Sequence, residues 1–106
     1  MKAIVARHAG DPSVLAMEEV PPPEIEPGQA LVRVVHAGVN FADIVMRRGG
    51  LATAFPLIPG VEAAGTVAAV AADVVDVAVG DRVAYAPVAA ATAIGSYAEY
   101  HTVPTA

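Results

Sequence analysis

Apolar and polar positions along this chain fall mostly into short runs separated by glycine and proline, the pattern of β-strands joined by turns. Lys2–Arg7 predicts a first strand, and Gly10-Asp11-Pro12 the turn that ends it. Val14–Val20 predicts a second, weaker strand. Pro21-Pro22-Pro23, followed by Pro27-Gly28, cannot donate to a sheet ladder and reads as an extended connector ending in a turn. Leu31–Ala37 predicts a strand with Arg33 on one face, and Gly65–Ala71, Arg82–Pro87 and Ser96–Val103 predict three more. Val88–Ile94 is alanine-rich and without a clear period; it reads as a loop, with one helical turn as the alternative.

One helix interrupts the strands. Asn40 is suited to cap Phe41–Arg48, with Asp43 in the first turn, Arg47-Arg48 in the last and Gly49 as the stop. Leu51–Pro59 follows as a loop held by Pro56 and Pro59. Short strands, frequent turns and one helix predict a mainly β fold: a small, partly open β-barrel forming a single domain over residues 1–106.

Composition narrows the function. Hydrophobic residues make up 56% of the chain and charged residues 16%, enough for a packed core built largely of alanine and valine. The net charge is −5 and Arg47-Arg48 is the sole basic pair, so a nucleic-acid partner is excluded for want of a basic stripe. Absence of cysteine removes disulfides, thiolate catalysis and cysteine-ligated zinc, and suits a reducing cytoplasm. Met1-Lys2 leads into an apolar run too short for a signal peptide. Val61–Val79 is apolar, but Glu62, Asp73 and Asp76 would be costly in lipid, so a strand pair in water is expected there.

Candidate chemistry concentrates in Pro59-Gly60-Val61-Glu62-Ala63-Ala64-Gly65, then Val79-Gly80-Asp81-Arg82-Val83, an acid between two glycines at the head of an apolar strand. An acid in apolar surroundings needs a partner, and Arg82 or a backbone N–H could supply it; a structural ion pair and a catalytic acid fit Glu62 equally. Asn40, Phe41, Asp43, Tyr85, Tyr97 and Tyr100 complete the candidates, with plain helix capping the simpler role for Asn40 and Asp43. His8, His36 and His101 have no metal-ligand spacing. No G-x-G-x-x-G, P-loop or G-x-S-x-G occurs. Residue types and spacing alone therefore give a soluble β domain with one cleft and no demonstrable reaction.

Taken in order, the motifs resemble one family. Gly10-Asp11-Pro12-Ser13-Val14-Leu15, Ala37-Gly38-Val39-Asn40-Phe41-Ala42-Asp43, Pro59-Gly60-Val61-Glu62, Val79-Gly80-Asp81-Arg82-Val83 and Gly95-Ser96-Tyr97-Ala98-Glu99-Tyr100 follow one another at the spacing of the N-terminal GroES-like domain of zinc-independent quinone oxidoreductases, in the medium-chain dehydrogenase/reductase superfamily. The resemblance runs nearly end to end. In the superfamily's zinc alcohol dehydrogenases a catalytic cysteine stands at the position of Asn40 and a metal-binding histidine at that of Val61, so it implies a metal-free reductase. Such proteins transfer hydride from NADPH to a quinone or conjugated enone.

By carry-over, Asn40 faces the nicotinamide-ribose side, Phe41 and Asp43 help form the wall, and Glu62 organises the cleft floor; Asn40, Asp43 and Glu62 are the implied catalytic residues, and Asn40 and Phe41 the implied cofactor contacts. The chain departs from the family pattern at Val45, where a tyrosine is usual, at Leu51-Ala52-Thr53-Ala54, where Tyr-Pro is usual, and at Ala71, where the usual glycine would tolerate a positive φ.

Relatives of this kind continue into a Rossmann domain with a glycine-rich phosphate loop. The chain stops at Pro104-Thr105-Ala106, so the resemblance implies a truncated reading frame or isolated domain, inactive and without tight NADPH binding on its own. Two other readings are a non-enzymatic GroES-like binding or assembly module, and self-association through apolar surface left bare.

Overall fold

The computed structural model describes residues 1–51, 53–86 and 94–105. Strands β1 (Lys2–Ala6) and β2 (Leu15–Glu19) pair antiparallel around a 3-10 turn at Pro12–Val14, started by Asp11, whose carboxylate accepts from the Ser13 N–H. β3 (Gln29–Ala37), β4 (Ala63–Val70), β5 (Arg82–Tyr85) and β6 (Tyr100–Pro104) form a second antiparallel sheet in the order β5-β4-β3-β6. Helix α1 (Phe41–Arg47) fills the connection between β3 and β4. The two sheets do not close on each other, and the result is the partly open β fold that the strand pattern predicts. Among the described residues no helix is long and apolar enough to cross a membrane.

The inner face of the larger sheet follows from alternation along its strands. Ala30 and Val32 of β3, Ala63 and Val67 of β4 and Val103 of β6 are buried on it. The register sets Val32 opposite both Val67 and His101, so the stripe is continuous across three strands. β5 and β6 are the outer strands of this sheet, yet the Tyr85 and His101 rings lie 5.6 Å apart, so the sheet curls strongly enough to bring its edges together. A second core sits under the helix, where Ala6, Met46 and Leu57 are buried with Phe55 and Val61 packed against them.

Helix α1 is held from both ends. Asn40 caps it in an extended conformation (φ −122°, ψ 160°), and the Asp43 carboxylate accepts the Asn40 N–H at 2.9 Å, one half of a capping box. At the other end Gly49 takes φ +92° and stops the helix. The Arg47 guanidinium is buried and donates to the Gly10 carbonyl at 3.1 Å, while the Gly10 N–H donates back to Arg47 at 3.0 Å.

Two expectations are corrected. The strand predicted from Ser96 starts only at Tyr100, because the N–H groups of Gly95, Ser96 and Tyr97 are committed to the carbonyls of Ile58, Gly60 and Pro59. Ala71 needs no glycine-like backbone: Leu51 (φ 57°) is the only described non-glycine residue with positive φ, and the Ala71 N–H bonds Gln29 at 2.9 Å. The alanine-rich stretch Val88–Ile94 lies outside the described residues except for Ile94, which bridges to Ile58.

Candidate active site

An open cleft of about 530 Å³ lies where the C-terminal ends of β3 and β5 meet the start of β4. Its lining includes His36, Gly38, Glu62, Ala64 and Tyr85. Small side chains leave the backbone within reach of a bound molecule. Gly38 makes room for the Glu62 side chain, since a Cβ at that position would force the Glu62 carboxylate to swing aside. The Glu62 backbone is fixed from two sides, its carbonyl accepting from the Gly38 N–H at 3.1 Å and from the Ser96 hydroxyl at 3.0 Å. Arg82 does not pair with it: Arg82 stands opposite Thr66, and no Glu62–Arg82 salt bridge forms among the described residues. The ion-pair expectation for Glu62 is thereby corrected, because the register carries Arg82 three residues along β4 from the cleft end.

Asp43 is elsewhere, at the centre of a buried knot. Only 5% of its surface is exposed, and its carboxylate accepts the Gly60 N–H at 2.8 Å, the Asn40 N–H at 2.9 Å and the Tyr97 hydroxyl at 3.1 Å. One side chain thus ties the helix start, the Pro59-Gly60 turn and the segment before β6. Burial, then the charge of Asp43 and its hydrogen bond, push the Tyr97 phenol up to about 12, so it remains a donor through the neutral range. The Asn40 amide nitrogen is buried without a partner among the described residues, whereas Phe41 stands 72% exposed. Neither residue lines the cleft with Glu62; they lie on the stretch that leads from its Gly38 edge into α1.

Sequence reasoning named Tyr85 and His101 separately and missed that they meet. The Tyr85 hydroxyl lies 2.8 Å from His101 Nδ1, and His101 Nε2 lies 3.2 Å from the Ile94 carbonyl. Sixteen residues separate the pair, and only the curl of the sheet joins them; no spacing rule would reveal it. Tyr100, the third tyrosine, pairs with Arg33 in the sheet and is outside the cleft lining.

Burial shifts both partners toward their neutral forms, raising Tyr85 and lowering His101 despite the opposing hydrogen bond to Ile94. A histidine with a depressed folded value binds its proton more readily when unfolded. Its contribution to stability is present above the unfolded value of about 6.5 and is lost as pH falls below it. The unfolding free energy from urea titration is therefore expected to drop between pH 7.5 and 5.5, with a slope of up to about 1.4 kcal/mol per pH unit. His101→Leu should flatten that slope, and an unchanged slope in the variant would assign it to other groups.

No group of three or more histidine, cysteine, aspartate or glutamate side chains suited to a metal ion occurs among the described residues. Residues 26–106 match the alcohol dehydrogenase GroES-like domain. The chain is 42% identical over 99 residues to a protein of Schizosaccharomyces pombe named as a probable quinone oxidoreductase, covering 91% of this chain and 28% of that protein. It superposes on the quinone oxidoreductase from Coxiella burnetii with a TM-score of 0.90 at 31% identity, over 99% of this chain and 35% of that one. A mycobacterial protein solved in complex with NADPH gives a TM-score of 0.88 at 36% identity, over 99% of this chain and 32% of that one. The chain thus spans little more than a third, or less, of each protein it resembles. With its curled sheet, capped helix and cleft between them, it belongs to the alcohol dehydrogenase GroES-like domain family of the medium-chain dehydrogenase/reductase superfamily, among relatives named as quinone oxidoreductases.

Proposed function

We propose that this domain forms the substrate-side wall of a reductase that passes hydride from NADPH to a quinone or conjugated enone. The observation that carries the reading is Glu62, held without an ion-pair partner among the described residues in an open cleft walled by glycine and alanine, in a domain shared with quinone oxidoreductases. NADPH, when bound, supplies the hydride; the chain's own residues bind and orient. The buried, unpartnered Asn40 amide nitrogen fits an acceptor oxygen from the nicotinamide-ribose end, and exposed Phe41 offers an apolar wall beside it. These groups fit one end of a dinucleotide only, since the 106 residues contain no glycine-rich cradle for its diphosphate. Asp43 has its acceptors occupied and acts as a positioning residue, fixing the Asn40 and Gly60 backbones.

Polarisation of a substrate carbonyl would fall to hydrogen bonds rather than zinc, in keeping with the lack of cysteine and with Asn40 and Val61 at the family's ligand positions. A reducing, cytoplasmic setting suits this chemistry. Exposed Val39 and Phe41 would face the cofactor-binding partner domain, or a second copy of the chain when that domain is absent.

The test is titration of the isotope-labelled chain with naphthoquinone, followed by NMR. Amide signals of Gly38, Glu62 and Ala63 are expected to move. Gly38→Ala, which displaces the Glu62 carboxylate, should weaken that response about tenfold, the equivalent of one polar contact. The chain alone should not oxidise NADPH with quinone present. Shifts confined to other surfaces, or turnover by the 106 residues themselves, would overturn the proposal.

A further inference from the structure

The hydrogen-bond directions around Tyr85 and His101 are fixed by elementary chemistry. A carbonyl oxygen only accepts, so the contact between His101 Nε2 and the Ile94 carbonyl places the ring hydrogen on Nε2. His101 is 6% exposed, and burial favours its neutral form. A neutral ring with hydrogen on Nε2 has a bare Nδ1, which must accept. The Tyr85 hydroxyl at 2.8 Å therefore donates inward to Nδ1. Its oxygen is left with lone pairs alone, and Tyr85 lines the cleft beside Glu62.

We propose that Tyr85 and His101 form a proton relay into this cleft, in which the Tyr85 oxygen accepts a hydrogen bond from a ligand hydroxyl and His101 Nδ1 receives the proton beyond it. The relay rests on the reading of the cleft as a substrate site. When it operates, the ligand O–H bond breaks as its proton joins the Tyr85 oxygen. The original Tyr85 proton passes to Nδ1, leaving an oxyanion in the cleft and an imidazolium behind it. Hydride addition to a carbonyl, with NADPH as reductant, creates such an oxyanion. Where His101 has first taken up a proton from solvent on Nδ1, the same path run backwards returns that proton to the oxyanion and restores neutral His101. Glu62 and His36 also line the cleft, but among the described residues neither makes the side-chain contact to a buried second group that defines the relay. The arrangement selects for a hydroxyl donor: the quinol or alcohol form of a ligand is held in preference to a counterpart without O–H.

Two measurements on the 106-residue chain test this. The His101 ring nitrogens, observed by NMR at neutral pH, should show hydrogen on Nε2 and none on Nδ1; the opposite tautomer overturns the relay without any variant. Naphthohydroquinone, kept anaerobic, is then compared with its dimethyl ether, which has the same rings and no O–H donor. The hydroquinone should bind about tenfold more tightly, the worth of one hydrogen bond, and should shift the His101 ring signals. Tyr85→Phe should equalise the two ligands. Equal binding to the unaltered chain, or a preference that survives Tyr85→Phe, overturns the relay. Signals of Gly38 and Glu62 separate the two levels: if they respond while His101 does not, the substrate cleft stands and the relay falls. If none responds to either ligand, both fall.

Discussion

Replacing Asp43 with alanine is expected to lower stability by about 3–4 kcal/mol, because it strips the acceptor from two backbone N–H groups and a tyrosine at once. The Gly60 and Asn40 N–H groups would be left facing a cavity, and each unsatisfied buried donor costs about 1–3 kcal/mol. Tyr97 loses less, since its half-buried hydroxyl can turn to water. For a domain of this size the melting midpoint should fall by about 15 °C or more. Asp43→Asn keeps an acceptor oxygen but turns an NH2 group toward the other donors, so it should fall between alanine and the unaltered chain. Urea unfolding of the three proteins provides the measurement. A loss below about 1 kcal/mol for Asp43→Ala would show that the knot is not structural.

Gly95→Ala is the second large effect, and its cause is volume. A Cβ there would sit 2.5 Å from the Gly60 and Pro59 carbonyl oxygens and 2.6 Å from that of Ile58. All three belong to backbone, which cannot swing aside as a side chain does. Relief requires the two segments to part, breaking the bonds from Gly95 to Ile58 (2.7 Å), from Tyr97 to Pro59 (2.9 Å) and from Ser96 to Gly60 (3.2 Å). A cost of about 4 kcal/mol or insoluble expression is expected, from overpacking and lost backbone bonds together. Gly80→Ala is the control. Its φ is +94° but nothing lies within 4 Å of the new Cβ, so it should cost only about 1 kcal/mol. Gly95 itself has no positive φ, so a loss no larger than that of Gly80→Ala would mean that the close approach does not govern Gly95.

Local rules explain much of the fold. The β1–β2 hairpin, the proline connector, α1 with its Asn40 cap and Gly49 stop, and the starts of β3 and β5 within two residues all follow from turn chemistry and alternation along a few neighbours. The misplaced start of β6 has a long-range cause. Ser96 and Tyr97 have strand-like side chains, but their N–H groups go to a segment nearly forty residues earlier. Leu57 likewise sits in what reads as a proline-bound loop. It is a core residue because it exchanges two 2.8 Å backbone bonds with Ala6.

The site divides in the same way. Glu62 between glycines and Asn40 before a helix are visible as one-dimensional patterns, and the motif order points to the family that Glu62's surroundings share with quinone oxidoreductases. Which acid has a spare face is not. Asp43 and Glu62 look alike as isolated acids, yet tertiary contacts occupy the carboxylate of Asp43 three times over and leave that of Glu62 in an open cleft. The Tyr85–His101 contact depends on the curl that joins the outer strands of one sheet. Sequence alone determined the strand-and-turn grammar, the capped helix and the family, since each rests on residues close together or on motifs in fixed order. Tertiary structure decided which side chains share a site, because that depends on sheet register and curvature summed over the whole chain.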